Sequence, residues 1–273
     1  MSKHFRIWLF PLLGTLLTST SLLAQGVITM TTSQRVGEEI ALRIEANGNV
    51  TIEGAQKTGK KGANDRKSYR LTSQTITIRG DVTELDCYNS ELTSLDVSKN
   101  AALTNLECGE NKLTSLNVSK NTALTELTCY SNQLTSLDVS KNTALTNLGC
   151  YNNQLTRLDL PKNTTLTWLD CSFNKLTSLN VSKNTALTKL YCYDNQLTNL
   201  NVSGCARLTT IDCSSNYING KAMTKLVNSL PNRRGKSRGL ILLVDRSSKK
   251  RNKNRCSAAD VTTARRKNWK VLK

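Results

Sequence analysis

The sequence predicts a right-handed solenoid of stacked coils with a parallel β-sheet on its concave face, and three observations predict it. Residues 82–218 repeat every 21 residues, with the consensus L-x-x-L-x-C-x-x-N-x-L-T-x-L-x-V-S-K-N-x-x. One cysteine recurs in each unit without a slip, at positions 87, 108, 129, 150, 171, 192 and 213. The period lies in the range of the leucine-rich repeat, in which every unit adds one coil to a common core. The chain is therefore predicted to carry seven coils, one for each unit.

Each unit divides into a strand and a return segment. Side chains alternate across a strand, so that Leu127 and Cys129 of the third unit point into the core and their neighbours point outward. The second half of the unit, such as residues 134–144, brings leucine and valine back to the core and then turns on Asp, Ser and Asn. This half is too short for a regular helix, which predicts an irregular or 3₁₀ convex side.

An asparagine follows most of the cysteines by three residues, and we expect its side-chain amide to turn inward. A buried backbone group without a partner costs about 1–3 kcal/mol, and the amide can satisfy such groups where the coil bends. The asparagines are Asn111, Asn132, Asn153, Asn174, Asn195 and Asn216, and Ser90 takes this place in the first unit.

The repeat resembles that of bacterial surface leucine-rich repeat proteins, in particular the cysteine-ladder internalin type and its relatives in Bacteroides-like anaerobes. The resemblance covers about half of the chain, through the repeats. The motif is specific for the fold and nearly silent about the ligand. Relatives of this type often carry an N-terminal β unit and end in a C-terminal cap, so the resemblance implies both here.

Residues 1–24 have the composition of a secretory signal peptide. Lys3 and Arg6 give a positive start, residues 7–17 are mostly apolar, and Ala24 precedes the predicted cleavage point. A membrane anchor is the alternative, but proline, glycine and hydroxyl residues interrupt a segment that needs about 20 mainly apolar residues to span. We expect a secreted or cell-surface protein without a transmembrane segment.

Residues 25–80 alternate apolar and polar side chains with a period of two, which is typical of strands. The predicted runs are 27–32, 39–46, 49–54 and 68–80. Asn47-Gly48 predicts a two-residue hairpin between the second and third runs, and residues 57–67, rich in lysine and glycine, predict a loop. We expect a small antiparallel β cap over the open start of the repeats, residues 81–218; an independent adhesive β domain is the alternative.

The period ends at residue 219, and residues 219–273 predict an α/β cap over the other open end. The predicted elements are a helix at 221–231, a buried strand at 238–245, a helix at 257–267 and a short strand at 269–272. This order is similar to the ending of the relatives named above.

The positive charge of the chain is unevenly placed. The chain has 38 Lys and Arg against 20 Asp and Glu, a formal net charge of +18, and residues 220–273 contain 17 basic and two acidic residues. Two runs predicted to lie in loops form a basic patch: Arg233, Arg234, Lys236, Arg238, Lys249, Lys250 and Arg251. The patch is interpreted either as solvated loops or as a contact for an anionic surface polymer. No aromatic residues interleave with these charges, so specific nucleic-acid recognition is not expected.

The only histidine, His4, lies in the predicted signal peptide. The mature chain therefore lacks Ser-His-Asp and Cys-His catalysis, histidine general bases and histidine metal ligands. A carboxylate pair such as Glu107 and Glu126 can in principle do acid–base chemistry, but an open sheet offers no desolvated pocket. We predict a non-enzymatic protein with no catalytic residue, no metal and no cofactor.

The seven cysteines of the column raise the question of disulfides in an exported chain. Neighbouring strands hold Cβ atoms about 4.8 Å apart, whereas a disulfide needs about 3.5–4.5 Å and a twist that parallel Cβ vectors oppose. We predict that the column stays reduced and packs as small apolar side chains. Cys205, which replaces a turn asparagine, and Cys256 lie off the column, and at this point their pairing stays open.

The variable positions of the repeat collect on the outward face of the sheet. Every aromatic residue between positions 81 and 215 falls there, with most of the acidic residues of the repeats. Strand propensity accounts for scattered tyrosines, but clustered exposed aromatics are typical of binding hot spots. The predicted ligand-binding residues are Tyr88, Glu107, Glu126, Tyr130, Tyr151, Trp168, Asp170, Phe173, Tyr191, Tyr193 and Asp194.

The sequence thus predicts a monomer that binds a protein partner through this concave sheet, in adhesion to a host, a matrix or a bacterial surface. A glycan-binding module is the alternative, because tryptophan and tyrosine beside carboxylates also suit sugars.

Overall fold

The computed structural model describes residues 26–61, 65–244 and 253–272. The predicted signal peptide, residues 1–24, lies outside the described residues, as do Lys249, Lys250 and Arg251 of the predicted basic patch. One continuous apolar core runs through the described part of the chain, from Ile28 to Trp269.

Six strands precede the repeats and divide between two antiparallel sheets. They are β1 (Val27–Thr32), β2 (Glu39–Ala46), β3 (Thr51–Glu53), β4 (Ala55–Lys61), β5 (Lys67–Leu71) and β6 (Thr75–Arg79). In the first sheet β6 lies between β3 and β1, and in the second β5 lies between β4 and β2. The alternating pattern seen in the sequence places Ile28, Met30, Ile76 and Ile78 in the core.

Three details predicted for this unit are wrong. The predicted loop at 57–67 begins too early, because β4 extends to Lys61 and pairs with β5. The run at 68–80 is two strands, β5 and β6, rather than one. Asn47-Gly48 is not a hairpin turn: β2 pairs with β5, whereas β3 pairs with β6 in the other sheet. Gly48 has a φ of 104°, and its turn joins the two sheets.

Each coil of the repeat adds one short strand to a parallel sheet. The strands are β7 (Val82–Asp86), β9 (Asn105–Glu107), β10 (Glu126–Thr128), β11 (Asn147–Gly149), β12 (Trp168–Asp170), β13 (Lys189–Tyr191) and β14 (Thr210–Asp212). Neighbouring strands pair in register, so that Leu127 stands opposite Leu106 and Leu148, all fully buried. The return segments of the second to sixth coils contain no helix, and their convex side is irregular, as predicted.

The N-terminal unit holds the first coil on both sides. Strand β2 pairs antiparallel with β7, so the second N-terminal sheet continues into the sheet of the repeats. The return segment of the first coil is itself a strand, β8 (Leu92–Lys99), and pairs antiparallel with β1. Both edges that the first coil would otherwise expose are therefore paired with the N-terminal unit.

An inner column of asparagines closes the bend after each strand, as predicted. In the fourth coil, Nδ2 of Asn153 donates to the carbonyl oxygens of Cys129 (3.0 Å), Cys150 (3.1 Å) and Tyr151 (3.3 Å). Its Oδ1 accepts from the N–H of Leu134 at 3.0 Å. The same pattern recurs at Asn111, Asn132, Asn174, Asn195 and Asn216. Each side chain joins its own coil to the one before it.

A second column of asparagines runs along the return segments. Nδ2 of Asn142 donates to the carbonyl oxygens of Val118 (2.9 Å) and Asn121 (2.8 Å), and Asn121, Asn163 and Asn184 bond in the same way. Cys205 takes the last place of this column, where its Sγ donates to the carbonyl oxygen of Val181 at 3.3 Å. The cysteine therefore replaces an asparagine in position and makes one of its two hydrogen bonds.

All nine cysteines are thiols in the structure, and Cys205 and Cys256 are not joined by a disulfide. The seven cysteines of the column are fully buried. Burial raises the pKa of Cys129 to about 12 and that of Cys205 to about 11. Because the thiolate is the reactive form, these groups are inert at neutral pH and serve as small apolar side chains.

Two helices and two further strands end the solenoid. They are α1 (Lys221–Ser229), β15 (Gly239–Leu242), α2 (Ala258–Arg266) and β16 (Trp269–Leu272), and both strands extend the parallel sheet beyond β14. The sequence predicted a buried strand here, but β15 is buried on one face only. Ile241 is buried, but Leu240 is 39% exposed because it points to the open face of the sheet.

This end of the chain begins with an eighth turn that sequence reasoning missed. Nδ2 of Asn254 donates to the carbonyl oxygens of Cys213 and Leu243, both at 2.8 Å, and Oδ1 accepts from the N–H of Ile218 at 2.7 Å. Asn254 thus continues the inner asparagine column. It follows Leu243, which holds the cysteine position, by 11 residues where a regular coil has three, so the extra residues hide the period.

Candidate binding face on the parallel sheet

Four residues of each coil form the candidate site, at positions 84, 86, 88 and 89 of the first coil and at steps of 21 residues from them up to position 215. We call this set the sheet face. The first two flank the buried leucine of the strand, and the third follows the cysteine. The fourth lies on the turn at the edge of the sheet, where φ is 50–54° in all seven coils. The sheet face therefore consists of a flat part on the strands and a border formed by the turns that follow them.

Three tyrosines form a row across the first four coils. The rings of Tyr130 and Tyr151 stack with centroids 4.5 Å apart and an interplanar angle of 6°, and Tyr88 follows at 6.0 Å from Tyr130. Gly109 stands in the same column between Tyr88 and Tyr130. A Cβ at this glycine would lie 2.7 Å from the Tyr130 ring, so the glycine makes room for that ring to lean across the second coil.

Trp168 uses a second glycine in the same way. Its ring lies over Gly149 of the preceding coil, where a Cβ would be 3.2 Å from two ring carbons. The glycine is buried although it belongs to the sheet face, because the indole covers it. The two glycines thus fix the direction of the Tyr130 and Trp168 rings. Both rings lean towards the N-terminal end of the sheet.

Phe173 and Tyr193 make an aromatic pair at the edge of the sheet face. Their rings meet edge to face, with centroids 5.0 Å apart. Phe173 has a φ of 51°, in a region that asparagine and aspartate tolerate far better than a bulky side chain. The equivalent residues of the other coils are Asn, Glu, Ser and Asp. Phe173 is also 36% exposed, so neither backbone preference nor burial explains an aromatic residue there.

Arginines from the N-terminal unit neutralise the carboxylates of the first coil. Arg43 pairs with Glu84, and Arg66 lies with Nε 3.8 Å from the carboxylate of Asp86. Arg66 also donates to the carbonyl oxygen of Tyr88 at 2.8 Å and lies 5.2 Å from the centroid of the Tyr88 ring. The first coil is therefore partly covered by the chain itself.

Two carboxyl groups further along the sheet face have raised pKa values. Burial, followed by the charge of Asp86, raises the pKa of Glu107. Burial also raises the pKa of Asp170, and Asp212 adds to this effect, although Asp170 accepts a bond from the N–H of Ser172 at 3.0 Å. Ionisation of these two carboxyl groups is therefore less favourable in the folded protein than in the unfolded chain.

We expect Asp170→Asn to stabilise the protein at neutral pH. A carboxyl whose pKa is higher in the folded than in the unfolded chain disfavours folding once it is ionised. The stability gained by removing its charge is therefore present at neutral pH and vanishes when the pH falls below the pKa of the unfolded chain. Asp138 on the convex side is the matched control, because a bond from Ser140 lowers its pKa and Asp138→Asn should destabilise instead. Urea unfolding at neutral and acidic pH measures both. Equal stability of Asp170→Asn and wild type at neutral pH would contradict the expectation.

All eleven predicted ligand-binding residues belong to the sheet face and form two groups. The first contains Tyr88, Glu107, Glu126, Tyr130 and Tyr151; the second contains Trp168, Asp170, Phe173, Tyr191, Tyr193 and Asp194. Sequence reasoning missed Gly109, Gly149 and Arg66. The glycines carried a usable signal, since each stands in an outward column beside an aromatic residue of the next coil. Arg66 carried none, because its contact depends on the fold of the N-terminal unit.

The predicted basic patch is not one surface. Arg233 is 5% exposed, and its guanidinium donates to the carbonyl oxygens of Leu208 (2.8 Å) and Ser237 (2.9 Å) and lies 5.9 Å from the ring of Trp269. It therefore holds the C-terminal cap together and is not available to an anionic polymer. The remaining described residues of the patch, Arg234, Lys236 and Arg238, are exposed.

Among the described residues, no group of three His, Cys, Asp or Glu side chains has the arrangement of a metal site. In the same part of the chain, no helix has the length and apolar character that crossing a membrane requires.

No protein-family model matches the chain, and no curated protein matches it. Solved structures do. An internalin C2 from Listeria monocytogenes superposes with a TM-score of 0.54 and 19% identity, over 70% of this chain and 81% of that chain. The internalin InlF of the same species gives a TM-score of 0.52 and 22% identity, over 64% of this chain and 50% of that chain.

The functional domain of InlJ from Listeria monocytogenes, which includes a cysteine ladder, is 29% identical over 64% of this chain, with a TM-score of 0.35. The chain spans about half the length of the InlJ and InlF chains that it matches. The likeness to internalin C2 and InlF establishes the fold: the chain is a leucine-rich repeat solenoid of the internalin-like kind. The predicted fold class is confirmed, and the relation to Bacteroides-like proteins stays a prediction.

Proposed function

We propose that the chain is an exported, non-enzymatic binding protein that holds a protein partner on its sheet face, in adhesion to a host, a matrix or a bacterial surface. The observation that carries the proposal is the row of outward aromatic rings from Tyr88 to Tyr193. These rings are outside the core, so the fold does not require them. Aromatic residues that are exposed, clustered and rigid are the usual energetic centres of protein interfaces.

The extent of the aromatic row suits a protein better than a small ligand. Tyr88 and Tyr193 lie in the first and sixth coils. At about 4.8 Å for each coil, the row is about 24 Å long, the dimension of a standard interface of about 800 Å² on each partner. A protein partner is therefore favoured over a glycan.

The rings are also held in place before any partner arrives. Gly109 and Gly149 leave room for Tyr130 and Trp168, and neighbouring rings pack against each other. Rings that are already ordered lose little side-chain entropy on binding, which favours affinity. The strained backbone of Phe173 is consistent with a residue kept for binding rather than for stability.

The proposal is tested by screening the full chain against a panel of extracellular matrix proteins and, in parallel, against a glycan array. We expect a protein ligand and no glycan ligand. Hydroxyl-radical footprinting of the complex should then show protection of Tyr151 and Tyr193, while Tyr217, which is 47% exposed and off the sheet face, keeps its reactivity. Protection of Tyr217 without change at Tyr151 and Tyr193 would place the binding site elsewhere.

A further inference from the structure

The sheet face has a charge opposite to that of the chain. Its 28 positions contain eight carboxylates and a single basic residue, Lys189, although the chain carries a formal net charge of +18. The return segments have the reverse bias, because an exposed lysine recurs at positions 99, 120, 141, 162 and 183. The repeat thus sorts its charges by side, and the negative side is the one that bears the aromatic rings.

One arginine of the chain already binds to this face. Arg66 lies over the ring of Tyr88 at 5.2 Å, beside the carboxylate of Asp86, and donates to the carbonyl oxygen of Tyr88. A guanidinium in this position gains a cation–π contact and a charge-assisted interaction together. The first coil therefore shows which side-chain chemistry the aromatic and acidic columns accept.

The following coils offer the same combination without an arginine from the chain. Within the described residues, no Lys or Arg forms an ion pair with Glu107, Glu110 or Glu126. Burial, then Tyr151 and Tyr88, and then the charges of Glu107 and Glu110 raise the pKa of Tyr130. Arg43 and Arg66 still act on Glu107, so the acidic and aromatic residues beyond their influence are Glu110, Glu126, Tyr130 and Tyr151.

We infer that the partner places a cationic segment, rich in arginine or lysine, on the sheet face, with its positive side chains against Tyr130 and Tyr151 and beside Glu107, Glu110 and Glu126. This inference rests on the proposed function, because it names the chemistry of the partner that the same face binds. A segment with several such side chains repeats at Tyr130 and Tyr151 what Arg66 does at Tyr88. An anionic polymer would meet like charge at this face.

The electrostatic field of the sheet face has a measurable consequence. A local negative patch attracts a cationic segment and speeds its association, and added salt screens this attraction. The net charge of the chain has the opposite effect, since a protein of +18 repels a cation at a distance. Binding of a cationic peptide is therefore evidence for the local face and not for the overall charge.

The experiment measures binding of an oligo-arginine peptide to the full chain by titration calorimetry, with an oligo-glutamate peptide for comparison. The test variant is Glu107→Gln/Glu110→Gln/Glu126→Gln. The control variant, Asp96→Asn/Asp138→Asn/Asp159→Asn, makes the same change in net charge on the convex side. Asn117, Asn180 and Asn201 occupy the same column in other coils, so the control variant keeps the fold even though Asp138→Asn lowers its stability.

We expect salt-sensitive binding of oligo-arginine by wild type and by the convex variant, a loss of about 10- to 100-fold in the face variant, and no binding of oligo-glutamate. Absence of oligo-arginine binding to wild type, or equal weakening in both variants, would overturn the inference. Circular dichroism checks that the variants fold. If the triple face variant does not fold, Glu110→Gln/Glu126→Gln takes its place, and unchanged binding by that variant also overturns the inference.

The two proposals fail in different ways. If the protein partner from the panel protects Tyr151 and Tyr193 but binds the face variant as it binds wild type, the proposed function stands and the cationic segment is wrong. If that partner leaves both tyrosines reactive, the proposed function itself is wrong, whatever oligo-arginine does.

Discussion

Replacing Asn153 with alanine will lower the free energy of unfolding by about 3–5 kcal/mol. The side chain is 8% exposed and serves four backbone groups, on Leu134, Cys129, Cys150 and Tyr151. Alanine leaves the N–H of Leu134 and the carbonyl of Cys129 buried without this partner, and each such group costs about 1–3 kcal/mol. The loss falls between two coils, so it also weakens the coupling on which the cooperative unfolding of a repeat array depends.

Gln154→Ala is the matched control for this substitution. Gln154 is the next residue along the chain and is exposed, so its truncation should change stability by less than about 0.5 kcal/mol. Equilibrium unfolding in urea measures both variants. A cost below about 1 kcal/mol for Asn153→Ala would mean that the asparagine column is not what closes the coil.

The repeated part of the fold could be predicted because every coil meets the same surroundings. Once the period is known, strand alternation places Leu and Cys inside, and the need to satisfy the bend turns the asparagine inward. Asn153 and its equivalents show this in the second to seventh coils. The sheet face follows from the same alternation, since the residues on either side of a buried leucine must point outward.

The parts that escaped prediction depend on contacts between distant segments. The pairing of β2 with β7 rather than β3 joins residues about forty positions apart, and a turn dipeptide such as Asn47-Gly48 fixes only the local bend. Asn254 bonds like a repeat asparagine, but its spacing from Leu243 removes it from the periodic pattern. Arg233 reads as one of several exposed cations until the fold places it against Trp269.

The sequence predicted which residues belong to the candidate site but not how their side chains are arranged. The sequence assigns Tyr130, Tyr151 and Trp168 to the sheet face, whereas the direction of the Tyr130 and Trp168 rings depends on glycines in the preceding coils. The role of Arg66 depends on how the N-terminal unit docks against the first coil. The periodic pattern contains no information about the docking of Arg66, whereas the two glycines carry a signal in their columns.

The variant Tyr151→Ala/Trp168→Ala/Tyr193→Ala should lose at least about 100-fold in affinity for the protein partner, or about 2.7 kcal/mol. The three rings belong to both groups of the sheet face and point away from the core, so their removal takes contact area from the partner and leaves the buried leucine and cysteine columns intact. The thermal unfolding of the variant should therefore stay close to that of wild type.

The ratio of dissociation constants between this triple variant and Tyr217→Ala is the measurement that tests the sheet face most directly. Tyr217 is an aromatic residue at the surface of the same solenoid, off the sheet face and more exposed than Phe173. We predict a loss of about 100-fold or more for the triple variant and wild-type affinity for Tyr217→Ala. Wild-type affinity in a folded triple variant would contradict the account, because the partner would then bind without the rings that define the site.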